Sequence, residues 1–262
     1  MFSQNPFAEV SASIPSALLQ WFVVIMVVLV VAGTMFDVVH KKSARYFSES
    51  MRRSREAGTK QVSGGEVVSL AIQTAVSEVL TSSEFCHPNR RIAHLLTMYG
   101  LVIHLLATAV LVFGYPAMAN AGIWPLLWHL GALGVCVGGY WFWFFIRVDV
   151  AAEGNSPFRV MRADLFILSL LASSTLALVW SAVQAAGTSV GSYIFFSLYL
   201  IATAVLFGGV PWSKFAHMFF KPAAALQKHV AEASGARDNL PPPADQPEQF
   251  GLGIKRELPR HY

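Results

Sequence analysis

Four histidines, His94, His104, His129 and His217, lie in or at the edge of long apolar stretches of this 262-residue chain. Imidazole is a metal ligand, a proton carrier and a hydrogen-bonding group, and an ionisable residue placed in lipid is costly enough to mark a function. One such histidine is as readily a helix-to-helix hydrogen bond; four together point to chemistry. Bis-histidine ligation of haem needs two imidazoles, from different helices, at one level in a bundle. The two cysteines, Cys86 and Cys136, stand in separate segments with no C-x-x-C spacing. There is accordingly no sequence case for an iron–sulfur cluster, a zinc site or a disulfide framework.

The elements that must position these histidines are set by hydropathy. Hydrophobic residues make up 55% of the chain and charged residues 13%, against about 25% charged in soluble domains. Five apolar stretches, at Ala17 to Val39, Ile92 to Phe113, Trp124 to Ile146, Ala163 to Ala185 and Val190 to Val210, each approach the ~20 helical residues that cross a ~30 Å hydrocarbon core. The first is too long for a cleaved signal peptide. Pro211 and the following WSKFAHMFF read as a kinked continuation of the fifth. The expected fold is an all-α integral membrane bundle of five transmembrane helices, with no internal repeat.

Every lysine and arginine falls between Lys41 and Arg91, between Arg147 and Arg162, or between Lys214 and Arg260. In a five-span chain these three segments share one face, so the positive-inside rule predicts an outside N-terminus, a cytoplasmic C-terminus and a multi-pass protein of the inner (cytoplasmic) membrane. The net charge of +4 is then a topological bias and not a nucleic-acid surface. The organisation reads as residues 1–40, an extracytoplasmic N-terminus with the first span; 41–91, a cytoplasmic loop; 92–220, a four-helix membrane domain with the histidines; and 221–262, an extended cytoplasmic tail rich in proline. Within the loop, Glu66 to Leu80 places Val67, Leu70, Ala71, Ala75, Val79 and Leu80 near helical spacing, which predicts an amphipathic surface helix facing lipid or a protein.

Depth separates the histidines into pairs. At 1.5 Å per residue, His104 lies about 18 Å into the second span from the cytoplasmic side, and His129 about 22 Å from that side of the third. His94 is only about 3 Å in, and His217 ends the fifth span at the same face. An outer pair, His104 with His129, and an inner pair, His94 with His217, follow. Gly100, Gly131, Gly134, Gly138 and Gly139 allow either close helix packing or a flat macrocycle. Arg90, Arg91 and Lys214 flank the inner pair, as donors to haem propionates or as headgroup anchors. His40, His87, His229 and His261 read as solvated, Asp37 as hydrated at the interface. Tyr115, Trp124, Trp128 and Tyr193 read as an outer aromatic belt, with a quinone pocket as the sharper alternative.

The stretches RRIAHLLTMYGLVIH, WHLGALGVCVGG and PWSKFAHMFFKP together resemble the cytochrome b membrane subunits of the respiratory nitrate reductase gamma type and of quinone-interacting sulfur-metabolism complexes. The similarity is nearest to the membrane anchor associated with adenylylsulfate (APS) reductase, and covers roughly Arg90 to Lys221. Its most specific elements are the ten-residue spacing of His94 and His104 and the SKFAH motif. The resemblance implies electron exchange between the quinone pool and a soluble cytoplasmic flavin and iron–sulfur oxidoreductase through two b haems. By matching positions, His94 and His217 would hold the inner haem and His104 the outer. The family pattern puts a further histidine eighteen residues before that of KFAH, where this chain has Tyr199, so an outer haem needs His129 or is absent.

The leading expectation is an electron-transfer subunit, haem b-containing and quinone-linked. The alternative is a haem-free anchor that only docks a soluble enzyme. A transporter is disfavoured, because no inverted repeat or pair of broken helices builds a midplane site. The topology is checked by reporter fusions. A reporter after Tyr262 is expected to be cytoplasmic and one at the N-terminus extracytoplasmic, and the reverse pattern overturns the orientation and the depth pairing with it.

Overall fold

A computed structural model describes residues 2–40, 43–83, 85, 87–212, 217–236, 249–250 and 254–255. In chain order its helices are α1 (Pro6–Val10), α2 (Ser16–His40), α3 (Ser43–Ala57), α4 (Gly64–Thr74), α5 (Pro88–Ala109), α6 (Trp124–Trp141), α7 (Val148–Ala151), α8 (Leu165–Ala185), α9 (Ser189–Gly208) and α10 (His217–Ala233). Wider π turns extend α4 over Ala75–Leu80, α5 over Val110–Gly114 and α6 over Phe142–Ile146. Five helices, Ser16–His40, Pro88–Gly114, Trp124–Ile146, Arg162–Ala185 and Ser189–Gly208, are long and apolar enough to cross a membrane. The chain is a multi-pass helical membrane protein.

The spans match the hydropathy reading except at their polar ends. α5 starts at Pro88 because proline is pre-shaped for the first helical turn and needs no donor there, although Asn89, Arg90 and Arg91 carry no apolar signal. The segment after Trp212 re-forms a helix at His217 that runs through Pro222 to Ala233. Residues 221–233 are therefore helical, where an extended tail was expected, and only a two-residue antiparallel pairing, Gln249–Phe250 with Ile254–Lys255, is described beyond Ala236.

The chain forms two compact units, residues 1–37 with 89–216, and residues 38–88 with 217–262. In the first, α8 packs against both α9 and α6. α2 buries only the stripe Leu19, Met26, Gly33 and Asp37. Asp37, expected to be hydrated, is 4% exposed. The end of this unit that the N-terminal segment caps, labelled its outer end, holds a core of Phe7, Val10, Leu111, Trp128, Trp180, Phe196 and Tyr199. Trp128, expected in a surface belt, is fully buried there, because its indole donates across to Thr108 Oγ1 at 3.0 Å. In the second unit α3 and α4 pack on α10.

Glycine decides how closely α5 and α6 approach. A Cβ on Gly131 would lie 2.6 Å from His104 N, and one on Gly100 would lie 2.7 Å from Val135 N. Gly138 meets Ala93 O in the same way. Of the two roles open to these glycines, the structure uses them for backbone-to-backbone packing, the small-residue contact of membrane helices. Gly131→Ala forces the two backbones apart and is expected to cost about 1–3 kcal/mol, whereas Gly65→Ala, on α4, meets nothing within 4 Å and is expected to stabilise by up to about 1 kcal/mol through helix propensity. Thermal unfolding of both variants in detergent checks this, and equal melting temperatures would show that the close approach is not rigid.

Candidate functional site

α5 brings His104 and α6 brings Trp128 and His129 into the outer core. His104 is 5% exposed and His129 1%. The His104 Nδ1 lies 2.9 Å from the Trp128 carbonyl, a pairing that places the proton on Nδ1 and leaves the lone pair on Nε2. That Nε2 is buried with no hydrogen-bond partner. Around it the bonds close a ring: Thr108 Oγ1 donates to His104 O at 2.7 Å, Trp128 Nε1 donates to the same hydroxyl, and the two aromatic rings lie 4.9 Å apart. A carbonyl that orients one imidazole nitrogen while the other stays bare is the arrangement of a metal-ligating histidine.

His129 is held differently. Its Nδ1 lies 2.6 Å from Pro125 O, the carbonyl one turn earlier, and its Nε2 lies 2.7 Å from Ser181 Oγ on α8. Both nitrogens are engaged. Phe2 meets the ring edge-on at 5.0 Å and Trp128 at 4.9 Å. The two outer histidines thus share a level, as depth predicts, but Trp128 packs against both of them and α5 touches α6 through glycine. His104 Nε2 suits an axial ligand of haem. The His104 and His129 pair, as arranged, frames no slot for a macrocycle between the rings.

At the other end, His94 is exposed on α5, one turn beyond the half-buried Arg90 and Arg91. His94 belongs to the first unit and His217 to the second, and the side chain of His217, like residues 213–216 with Lys214, lies outside the described residues. Tyr199 is 5% exposed and stacks on Trp180 at 5.9 Å, making it a member of the same core as Trp128. Tyr193 is exposed and donates to Ser13 Oγ at 2.6 Å. His40 and His87 are exposed as expected, but His229 is half-buried on α10, 3.4 Å from Glu78 and 3.6 Å from Glu232. Cys86 and His261 lie outside the described residues. Among the described residues no three His, Cys, Asp or Glu side chains converge on a metal position.

Sequence reasoning missed three features. Ser181 continues the series Ser169, Ser173, Ala177 at four-residue spacing along the buried face of α8, a periodicity that was there to be found. The N-terminal segment closes the outer end: Asn5 donates to Tyr115 O and Met118 O, Ser11 to Pro116 O, and Gln184 to Pro6 O. Arg147, 5% exposed, pairs with Asp164 at 3.0 Å, donates to Pro157 O and Arg159 O, and lies 3.8 Å over Trp143. A buried, bonded arginine of this kind looks in sequence like any basic loop residue.

No family model matches the chain, and no curated protein or solved structure matches it. The site therefore stands on its geometry. Ser181→Ala strips the partner from His129 Nε2 in a closed core and is expected to cost about 1–3 kcal/mol, read as a lower midpoint in thermal or denaturant unfolding; an unchanged midpoint would show that His129 is not held through that bond.

Proposed function

We propose that this chain is the membrane subunit of a quinone-linked oxidoreductase in the cytoplasmic membrane, a b-type cytochrome. It would exchange electrons between quinone and a soluble cytoplasmic flavin and iron–sulfur enzyme of the APS reductase kind. The observation that carries the reading is the bare, buried Nε2 of His104 with its Nδ1 fixed on a carbonyl. Haem, when bound, supplies reversible one-electron transfer at its iron. The chain's own part is to orient His104 through Trp128 and Thr108 and to keep water away from it with the outer aromatic core. His94 and His217 are the inner ligands that the family resemblance implies, and Arg90 and Arg91, which precede His94 in the sequence, are candidate donors to propionates. His129 would have to give up Ser181 before it could serve as a second outer ligand. α3 carries four arginines against two glutamates, Arg45 and Arg52 being paired with Glu49 and Glu56, and its net positive charge would suit the soluble partner.

A haem-free anchor is the second reading, and a specific observation favours it: both nitrogens of His129 are satisfied and glycine contacts close the gap between α5 and α6. The reduced-minus-oxidised visible spectrum of the chain purified from its native membrane separates the two. A low-spin b-haem spectrum that is diminished in His104→Ala is expected, together with a co-purifying soluble flavoprotein. Full haem content in His104→Ala removes His104 from the ligand set, and a chain without haem leaves the anchor reading.

A further inference from the structure

Among the described residues, the unit built from residues 38–88 and 217–262 carries an apolar surface that is exposed. α4 and its π turn have two apolar faces. On one, Val67, Leu70 and Ala71 are half-buried and Thr74 is 2% exposed, on a helix that packs against α10. On the other, Val68, Ile72, Val76 and Leu80 follow one another at four-residue steps and are 59%, 62%, 49% and 50% exposed. A four-residue step overshoots one α-helical turn by about 40°, and the wider π turn over Ala75–Leu80 swings the later residues back. All four therefore stay on one side of the helix.

That side is uncharged. Ser69, Gln73 and Ala75 flank the stripe, while both carboxylates of the segment are engaged elsewhere. Glu66 lies 3.0 Å from Lys60 Nζ, and Glu78 lies 3.4 Å from His229 Nε2. The hydrogen bond from Lys60 holds the Glu66 carboxyl below its ordinary range, so it remains an ion tied to its partner.

Chain continuity and composition say what covers the stripe. Leu80 stands eight positions before Pro88, where a membrane-crossing helix opens. α3 starts three positions after His40, where another ends. The stripe and its flanks are Val, Ile, Leu, Ala, Ser and Gln, and lack the Trp, Tyr and Arg that anchor protein interfaces. An uncharged aliphatic stripe at helical spacing, close in sequence to a span, can enter a lipid interface as the apolar face of a helix lying there.

We propose that Val68, Ile72, Val76 and Leu80 insert between the headgroups and the acyl chains of the leaflet from which the adjoining spans emerge, making α4 an interfacial helix. This does not rest on the haem reading. The test uses the full chain in nanodiscs of phosphatidylcholine and phosphatidylglycerol, with Cys86→Ser and the buried Cys136 left in place. A fluorescent label is attached in turn to Ile72→Cys, to Val76→Cys and to Lys228→Cys, the last on an exposed side chain of α10. The labels at 72 and 76 are expected to be quenched at least about threefold more strongly than the label at 228 by lipid carrying a nitroxide near the headgroup. They should also be shielded from aqueous iodide. Iodide quenching equal to that of the 228 label overturns the proposal in favour of a solvated face. Shielding from both quenchers overturns it in favour of a protein partner or a second copy of the chain.

Discussion

The approach of α5 to α6 at glycine is the constraint on which the candidate site depends. At this distance a side chain on one helix reaches the backbone of the other, and His104 uses it to bond the carbonyl of Trp128. Trp128 answers through its indole to Thr108, whose hydroxyl turns back to His104 O. With side chains in place of Gly100 and Gly131 the backbones could not meet, and this circuit of three bonds would have no geometry in which to close. Packing and polar satisfaction are one event here, because lipid supplies no hydrogen bonds of its own.

Several hydroxyls in the spans solve the same problem locally. Thr97 bonds Ala93 O, Ser169 bonds Leu165 O, Ser197 bonds Tyr193 O and Thr203 bonds Tyr199 O, each returning to the carbonyl one turn before. Against that background the bare Nε2 of His104 stands out. Thr34 Oγ1 and Arg147 Nε are also buried without partners in the same unit. Neither is a comparable ligand: the guanidinium nitrogen has no lone pair to give, and a neutral threonine hydroxyl binds iron poorly, whereas imidazole is a ready ligand.

Depth was legible in the sequence and rotation was not. Counting residues from the ends of the spans puts His104 and His129 at one level, and both rings do flank Trp128. Which way each ring points is a rotation about the helix axis, and hydropathy carries little of it when the lipid side and the core side are both apolar. His129 is therefore turned to Ser181 on α8, and Trp128 inward, with no warning from composition. The loop helix forms where its pattern predicts, but its faces were not all legible. Its apolar pattern predicted one face over Glu66 to Leu80, and the structure has two, because Val68, Ile72 and Val76 sit between the residues of the predicted stripe.

The outer end of the first unit is closed by short-range chemistry that hydropathy does not register at all. Asn5 caps α1 by accepting from Phe7 N, and its amide group donates to two carbonyls of the 115–119 loop. Those bonds hold Phe7 edge-on to Trp128 and Trp180. The segment before the first span thus completes the core in which His104 lies, and it satisfies the polar backbone that the loop would otherwise expose.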